Sequence, residues 1–264
     1  MSTLSIRPIN TGFMIIPKSA FLHDSVYPYF DFPDIQRGTP VFSFLVEGGD
    51  KPLLFDTGMS NTERAHKYHY LTAEQPEGMS IVDQLKTLGY EPEDIGYVVL
   101  SHLHWDHCYY MDRFTNARFF VHPTEIAFAQ DPVPVFYKAY EHPVTGLTSP
   151  FSGLKLEPVT EGMEIIPGVS VLESPGHSPG HISICIDTAS GEYICAGDSI
   201  MTLLNLVSVE PLHYAISPPG RAMNLVTAFK SIEIQKARAK SPDFLLFCHS
   251  TELLERVKET PVLR

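Results

Sequence analysis

The segment SHLHWDH at residues 101–107 constrains this chain more than any other feature, because it places three histidines and an aspartate within six positions. It follows residues 95–100, a run that predicts a buried strand, so the cluster stands at the carboxyl end of that strand. Neutral imidazoles and carboxylates suit Zn²⁺ and similar ions, whereas Mg²⁺ and Ca²⁺ prefer oxygen ligands. The segment therefore indicates two partial metal sites, which need further ligands from elsewhere in the chain.

Three other segments end β-like runs with a histidine or an aspartate beside small residues. They are SPGHSPGH at 174–181, CAGDS at 195–199 and LLFCHS at 245–250. Glycine and other small residues let the backbone turn sharply and approach an ion closely. These segments are therefore the candidates for the missing ligands.

The composition is that of an ordinary globular protein, with 264 residues of which 44% are hydrophobic. No internal repeat, low-complexity tract or charged linker is present, so we expect a single domain over residues 1–264. The net charge of -12 and the scattering of the 19 basic residues argue against a nucleic-acid partner, because phosphate binding relies on clustered Lys and Arg.

Two further features of the sequence bear on its location. There is no apolar run of about 18 residues to cross a membrane, and no basic head followed by an apolar block to act as a secretory signal. We therefore expect a cytoplasmic protein without a membrane partner. The four dispersed cysteines form no C-x-x-C pair, which predicts reduced thiols.

The hydrophobic pattern predicts strands and helices that alternate in two successive halves. The predicted helices are 80–88, 123–130, 222–239 and a terminal helix, and residues 131–150, rich in proline, are expected to form an irregular segment that covers the site. The predicted strands are 41–47, 53–56, 95–100, 118–122, 169–173, 181–187, 192–195 and 244–248. This order favours two packed sheets with helices outside.

The whole set of motifs resembles the metallo-β-lactamase superfamily. H-x-H-x-D-H, then P-G-H, then G-D, then a histidine at a last strand end follow the pattern of that family from LLFDTG at 53–58 through His249. DTG, FTN at 114–116 and PGHSPGH most resemble the branch that opens N-acyl homoserine lactones. The resemblance implies an α/β fold, a four-layer αββα sandwich of two mixed β-sheets flanked by helices.

The resemblance also implies a set of metal ligands. A first ion would bind His102, His104 and His177. A second ion would bind Asp106, His107 and His249, with Asp198 bridging the two. Two Zn²⁺ are the default, although the fold also hosts iron and manganese. Redox di-iron members usually carry Glu where His104 stands, so the resemblance favours hydrolysis.

The expected mechanism follows from this ligand set. Metal binding lowers the pKa of water from about 15.7 to about 7, so a hydroxide bridging the two ions would attack a carbonyl. Asp106 is expected to bind metal and to steer a proton to the leaving group. Asp56 is expected to accept the distal N–H of a ligand histidine, or else to be only a turn aspartate before Gly58. His181 is expected to be structural.

The sequence departs from the lactonase pattern at two places. Many relatives have small residues after the last histidine of the motif, whereas this chain has Cys108, Tyr109 and Tyr110, which either build the turn differently or crowd the pocket edge. Cys108 is expected to fill a gap in the core rather than to bind metal. The branch typically has a hydrogen-bonding tyrosine where this chain has Met201, and a thioether cannot donate.

The missing donor predicts a replacement within the substrate pocket. The candidates are Tyr109, Tyr110, His213 and Tyr214, and with Met201 they form the expected pocket residues. The segment 14–32 is rich in large apolar side chains, which either wall an apolar pocket or pack on the core.

The leading hypothesis is a dinuclear metal hydrolase that opens the cyclic ester of a small-molecule substrate. The alternative is hydrolysis of a cyclic amide or carbamate by the same metals, which would depend more on protonation because amides are poorer leaving groups. Thioester and phosphoester substrates are disfavoured, since no Lys or Arg cluster adjoins the motifs. A metal-binding protein without catalysis and a redox di-iron protein are the remaining alternatives. The oligomeric state stays open, with a homodimer as one option.

Overall fold

A computed structural model describes residues 4–264. Its first sheet has six strands, which lie side by side in chain order. They are β1 (Ser5–Pro17), β2 (Ile35–Glu47), β3 (Leu53–Phe55), β4 (Tyr97–Val99), β5 (Arg118–Val121) and β6 (Leu156–Pro158). The first three strands are antiparallel, and β3 to β6 run parallel.

The second sheet has five strands in the order β11-β10-β9-β8-β7. They are β7 (Glu164–Ile166), β8 (Val169–Glu173), β9 (Ile182–Thr188), β10 (Gly191–Gly197) and β11 (Leu245–Phe247). Strand β11 pairs in parallel with β10, and the other neighbours are antiparallel. Both sheets are therefore mixed.

Six α-helices and several short 3₁₀ turns connect the strands within residues 4–264. The α-helices are α1 (Lys18–Phe21), α2 (Thr62–Tyr68), α3 (Ile81–Thr87), α4 (Pro123–Gln130), α5 (Leu225–Arg238) and α6 (Thr251–Glu259). The 3₁₀ helices are Asp24–Tyr29, Pro92–Asp94, Met111–Arg113, Pro134–Phe136, Pro143–Thr145, Leu203–Leu206, Glu210–Leu212 and Pro242–Phe244. Helix α3 begins as predicted, because the Ser80 hydroxyl accepts a hydrogen bond from the Asp83 backbone N–H.

Alternate strand residues pack on opposite faces and so create the layers. On β3, Phe55 lies in the core between the two sheets with Ile184 of β9. Its neighbour Leu54 packs outward in the cluster that contains Leu85 of α3. On the far side, Ile232 of α5 packs on the outer face of the second sheet. The predicted four-layer αββα sandwich is confirmed.

Strand β1 is the longest of the elements that the hydrophobic pattern did not predict, which also include β6, β7, α1 and α2. Pro8, Asn10 and Gly12 interrupt the run, and proline cannot donate to a sheet ladder. However, β1 lies at one edge of the first sheet. Proline is tolerated there when the position of its missing backbone N–H faces away from the neighbouring strand. Its pairing with β2 is also irregular between Asn10 and Phe13, which absorbs the interruption.

The segment 131–150 covers the end of the sandwich, as the prolines predicted. It contains the 3₁₀ helices Pro134–Phe136 and Pro143–Thr145 and no longer element. The Trp105 backbone N–H donates to the Ala139 carbonyl at 2.9 Å. The Tyr140 ring packs edge-on against His104, with centroids 4.8 Å apart. The covering segment is therefore fastened directly to the histidine motif.

The two alternatives for the segment 14–32 are resolved in favour of packing. Phe21 and Val26 are buried in a cluster that also contains Trp105 and Met201. The four cysteines are all buried free thiols, in agreement with the prediction. None of the helices within residues 4–264 combines the length and the apolar character that a membrane crossing requires.

Candidate metal centre

The candidate ligands meet because several strands end at one edge of the sandwich. Asp56 directly follows β3, the histidine motif follows β4, and these two strands are parallel neighbours. Asp198 directly follows β10, and His249 follows β11, again a parallel pair. His177 comes from the loop between β8 and β9. The carboxyl ends of both sheets thus deliver the side chains to one place.

Gly197 is required for this meeting of the two sheets. Its φ is +53°, and a Cβ at this position would lie 2.7 Å from His181 Nε2 and 2.8 Å from Ser101 Cβ. Only glycine lets the end of β10 approach the histidine motif so closely. The approach places Asp198 beside the imidazoles.

Three histidines form the first group. His104 Nδ1 lies 2.8 Å from His102 Nε2 and 3.2 Å from His177 Nε2. Ligands at about 2.0–2.1 Å from one tetrahedral ion are themselves about 3.3 Å apart. All three side chains are buried, so their nitrogens face one another rather than water. The spacing suits a shared ion.

Asp106, His107 and His249 form the second group. Asp106 Oδ2 lies 3.8 Å from His107 Nε2 and 3.8 Å from His249 Nε2. The Asp106 carboxylate is 12% exposed, whereas both imidazoles are nearly inaccessible. The aspartate is thus the ligand candidate of this group that a bound molecule can reach.

Asp198 connects the two groups through its two carboxylate oxygens. Its Oδ1 lies 3.4 Å from His107 Nε2 and 3.3 Å from His249 Nε2. Its Oδ2 lies 3.4 Å from His177 Nε2 in the first group. One carboxylate therefore faces both sets of donors, as a bridging ligand does.

Unpartnered buried atoms test whether a metal ion fits here. His107 Nε2 and Asp198 Oδ1 are buried, and neither has a hydrogen-bond partner. A buried polar atom without a partner costs about 1–3 kcal/mol, so such atoms call for an ion or another ligand. Both atoms point into the donor set described above, and the donors are imidazoles and carboxylates. The residues fit a divalent metal centre.

Burial and mutual repulsion set the charge state of the first group. Burial, and then the nearby imidazoles, lower the pKa of His102 and of His104 well below the usual value. Both imidazoles are therefore neutral at physiological pH. Neutral imidazole is the form that binds metal, so this group is ready to act as a ligand set.

Negatively charged carboxylates surround the histidines of the second group. Burial opposes a charged His107, but Asp198, Asp106 and Asp56 outweigh it and raise the pKa well above the usual value. Asp198 shows the converse, because the charges of His249 and His107 overcome burial and hold its pKa well below its usual range. The same field favours a cation between these side chains.

Asp56 holds the second group in place. Its Oδ2 accepts a hydrogen bond from His107 Nδ1 at 2.9 Å and from the Ser101 hydroxyl at 2.8 Å. Its Oδ1 accepts from the Ser101 backbone N–H at 2.7 Å. The backbone of Asp56 is also left-handed, with φ 63°, so this residue both makes the turn and fixes the His107 ring.

His181 lies beside the centre without joining the donor groups. Its Nε2 accepts a hydrogen bond from the Asp198 backbone N–H at 3.1 Å, and its Nδ1 faces the Ser174 hydroxyl at 2.8 Å. The ring therefore positions the loop that carries Asp198, in line with a structural role.

Glu125 is a residue that the sequence did not reveal. It is fully buried on α4 and accepts hydrogen bonds from the backbone N–H groups of Leu103 and Gly180. The hydroxyls of Ser178 and Tyr140 donate to it as well. It ties the histidine motif, the loop after His177 and the covering segment together. Its position inside an ordinary helix gives no signal in the sequence.

A cavity of about 460 Å³ opens onto the donor groups. His104, Asp106, His177 and Asp198 form its metal end. The walls include the rings of Trp105 and His69, which stack with centroids 4.1 Å apart and planes within 8°. The rim carries Tyr70, Lys138 and Arg221.

The pocket residues expected from the sequence lie elsewhere. Met201, Tyr109, Tyr110, His213 and Tyr214 are all absent from the lining of this cavity. Met201 is 1% exposed and packs inside the cluster of Trp105. Tyr214 packs against Phe229, and His213 adopts a left-handed backbone after a 3₁₀ helix. These expectations are therefore corrected.

The turn after His107 explains why the two tyrosines point away. Cys108 pairs as an isolated bridge with Gly58, and the Tyr109 N–H donates to the Gly58 carbonyl at 3.2 Å. The Tyr110 hydroxyl then donates to Gln75 at 2.6 Å, outside the cavity. Cys108 is fully buried in an apolar cluster, as expected for a thiol that fills a gap. The turn is thus built differently and does not crowd the pocket.

Comparison with known proteins identifies the family. Residues 37–219 match the model of the metallo-beta-lactamase superfamily. The N-acyl homoserine lactonase AiiA of Bacillus thuringiensis subsp. kurstaki is 32% identical over 223 residues, which are 81% of this chain and 82% of that protein. The N-acyl homoserine lactonase AttM of Rhizobium radiobacter is 34% identical over 113 residues, 40% of this chain and 41% of its own length.

Solved structures agree with these relatives. An N-acyl homoserine lactone hydrolase with the product N-hexanoyl-L-homoserine at its catalytic metal centre superposes with a TM-score of 0.75, at 25% identity and 97% coverage of both chains. The dizinc quorum-quenching lactonase AidC shares the fold, with a TM-score of 0.68 at 17% identity over 96% of this chain and 89% of its own. The chain described here belongs to the metallo-β-lactamase superfamily, and it is a metal-dependent hydrolase.

Proposed function

We propose that this protein opens a cyclic ester, a lactone, at a centre of two divalent ions, with Zn²⁺ as the expected metal. The observation that carries the proposal is the position of Asp198, whose two oxygens face separate groups of donors 3.3–3.4 Å away. A carboxylate shared in this way is suited to hold two ions close together. The relatives that resemble the chain over four-fifths of its length are lactonases.

The two donor groups divide the expected ligands between the ions. His102, His104 and His177 would hold one ion, and Asp106, His107 and His249 would hold the other. Bound metal ions in such a site lower the pKa of water and polarise a carbonyl group. The protein surrounds the centre with hydrogen-bonded supports such as Asp56, which keep the ligand rings from rotating.

Asp106 is proposed to move the proton during ring opening. Its carboxylate lines the cavity and is the more accessible member of its group. Hydrolysis adds water across the ring C–O bond: the attacking water loses a proton, and the departing alkoxide gains one. Asp106 accepts the first proton and returns it to the ring oxygen, which leaves a hydroxy acid.

The cyclic amide and carbamate alternative receives no support from the comparisons. The relatives that match over most of their length are lactonases, and their substrates are esters. Met201, which was expected in the substrate pocket, does not line the cavity, because its side chain is buried in the core. We therefore retain the lactone as the proposed substrate class.

The test is proton release in weakly buffered indicator solution with zinc-loaded protein. The panel contains long- and short-chain N-acyl homoserine lactones, simple γ- and δ-lactones, an aromatic lactone, and matched lactam and cyclic carbamate rings. We expect turnover of lactones above the nitrogen rings. The Asp106→Asn variant tests the proton role, and it should lose at least about hundredfold in kcat.

Two results would overturn the proposal. Faster hydrolysis of the lactam or carbamate rings would assign the site to amide chemistry. Absence of hydrolysis for the whole panel, in protein shown by elemental analysis to hold two zinc ions per chain, would exclude lactone opening.

A further inference from the structure

The rim of the cavity carries two positively charged side chains that lie far apart in the sequence. Lys138 comes from the covering segment, and Arg221 stands before α5, yet both line the same cavity. Both are exposed at its mouth. No cluster of Lys or Arg adjoins the motifs in the sequence. The fold nevertheless brings Lys138 and Arg221 to the mouth of the same cavity.

These two cations have no carboxylate partner in the part of the chain from residue 4 onward. The Lys138 ammonium donates to the backbone carbonyl of His69, and Arg221 Nη2 lies 3.3 Å from the Tyr70 hydroxyl. The cavity carboxylates, Asp106 and Asp198, face the imidazoles of the metal centre instead. Uncompensated positive charge at this mouth contrasts with the net charge of -12 for the whole protein.

Arg221 lies beside the metal end of the cavity. Its backbone carbonyl oxygen is 3.4 Å from His177 Nδ1, and Arg221, His177 and Asp198 line the same cavity. A molecule that extends from the donor groups toward the mouth therefore passes this cation.

The walls restrict the shape of what binds between the rim and the metal end. Trp105 and His69 present a parallel stack, and Phe136 and Met223 complete the apolar lining. The stacked rings are nearly inaccessible and support the wall, whereas Phe136 and Met223 are half-buried and offer apolar contact. The cavity volume of about 460 Å³ suits a compact molecule.

We propose that Lys138 and Arg221 bind an anionic substituent of the substrate, and that the preferred lactone is a compact ring that carries a carboxylate. This inference rests on the proposed lactone hydrolysis and names its substrate class. The planar fork of an arginine and the point charge of a lysine both suit carboxylate oxygens. The Tyr70 hydroxyl holds the guanidinium, which makes Tyr70 a positioning residue.

The probes are three aromatic lactones that share one ring system. Carboxyphthalide is anionic at neutral pH, its primary carboxamide has the same shape without the charge, and phthalide lacks the substituent. Rates of zinc-loaded protein are divided by the rate of each lactone with hydroxide alone, which removes differences in intrinsic reactivity. We expect kcat/KM for the anion to exceed that for the carboxamide about tenfold, mainly through KM.

The variants assign the preference to the two cations. Arg221→Gln and Lys138→Gln should each reduce the ratio of anion to carboxamide about threefold, because the two cations share the tenfold preference and each is partly screened by water. Arg221→Lys should keep most of the ratio, and Arg221→Glu should invert it. Arg113→Gln is the control, since it removes one exposed positive charge far from the metal end, beside Tyr109. It should keep the wild-type ratio.

Added salt and direct binding provide independent readouts. Raising the ionic strength should lower the ratio toward one for the wild type, and it should leave the ratio nearly unchanged in Arg221→Gln combined with Lys138→Gln, which carries no charge at either position. Saturation-transfer NMR of carboxyphthalide and its carboxamide, recorded at short times, reports binding without turnover. A stronger signal for the anion that Arg221→Gln removes supports the cationic site.

The outcomes separate the inference from the proposed function. If phthalide and the carboxamide are hydrolysed but the anion has no advantage, lactone hydrolysis stands and the inference is overturned. The inference is also overturned if Arg113→Gln lowers the ratio as much as Arg221→Gln. If no lactone is hydrolysed yet anion binding depends on Arg221, the proposed function fails and the anion site stands.

Discussion

At the scale of single residues, the metal centre depends on what holds the far side of each ligand ring. His107 Nδ1 is fixed by Asp56, and His249 Nδ1 lies 2.8 Å from the Pro40 carbonyl. The Ser101 hydroxyl lies 2.9 Å from His102 Nδ1 and also donates to Asp56. These contacts select the ring orientation and leave the other nitrogen free for metal.

Asp198→Asn tests the bridging assignment. The amide nitrogen cannot bind metal, so one oxygen must serve both groups and the pair of ions is weakened. We expect metal content to fall from two ions toward one per chain and lactone turnover to fall at least about hundredfold. Elemental analysis and proton release measure the two effects. Asp112→Asn, an exposed site, is the control, and unchanged metal content in Asp198→Asn would contradict the assignment.

Met201→Tyr tests whether this position faces the substrate. Met201 is 1% exposed and packed beside Trp105, so a tyrosine ring overfills the core. We expect the free energy of unfolding to fall by about 1–3 kcal/mol, without a selective gain for N-acyl homoserine lactones. Urea unfolding and a comparison of two lactones of different chain length provide the measurements. A variant of wild-type stability with a changed lactone preference would place the side chain in the pocket.

At the scale of elements, a buried ion cluster fastens the covering segment to α2. Glu141 lies at 0% side-chain exposure and contacts Arg64 at 2.6 Å and His69 at 2.7 Å. Burial alone would raise the pKa of Glu141, but the hydrogen bonds from His69 and Arg64 outweigh it and lower that pKa. His69 also stacks on Trp105, so the cluster supports the cavity wall.

Glu141→Gln should therefore destabilise the protein in a pH-dependent way. Because the folded pKa lies below the usual value of 4.5, the stabilisation is present above that value and is lost as the pH falls through the folded pKa. Near neutral pH we expect a loss of about 3 kcal/mol, since the buried His69 and the partly buried Arg64 lose their charged partner. Urea unfolding of both proteins from pH 7 to about pH 3 measures it, because the loss occurs below the usual value. Glu255→Gln, on an exposed pair, is the control, and a pH-independent difference would contradict the linkage.

At the scale of the whole molecule, the candidate metal ligands come from both sheets. Asp56 and the histidine motif follow strands of the first sheet, and Asp198 and His249 follow strands of the second. Ions bound by the proposed ligands would therefore cross-link the sandwich at one edge. Any ligand that binds only the folded state raises its stability by mass action.

Metal removal should lower the melting temperature. With free zinc at about a thousand times its dissociation constant, binding adds about 4 kcal/mol, so chelation should lower Tm by several degrees. Differential scanning fluorimetry of zinc-loaded and chelated protein measures the change, and added zinc should restore it. Asp198→Asn should show a smaller shift than the wild type. Equal melting temperatures with and without metal would show that the centre does not cross-link the sheets.

Local sequence pattern was enough to predict several of the helices, strands and motifs. Neighbouring residues account for the periodicity of α3, for its capping by Ser80 and for the histidine motif after β4. The motifs taken together predicted the fold and the kinds of side chain that could bind metal. Local pattern failed at β1, where only an edge position makes Pro8 acceptable.

Tertiary structure decided the features that join distant parts of the chain. The burial of Met201, the turn that directs Tyr109 and Tyr110 outward and the meeting of Lys138 with Arg221 at the rim each depend on packing between elements. Side-chain direction and charge pairing are set by neighbours in space, which no local pattern records. The candidate metal donors could be proposed from the sequence because each stands at or near a strand end, and these strand ends converge in the fold. The substrate pocket depends instead on how the loops pack above them.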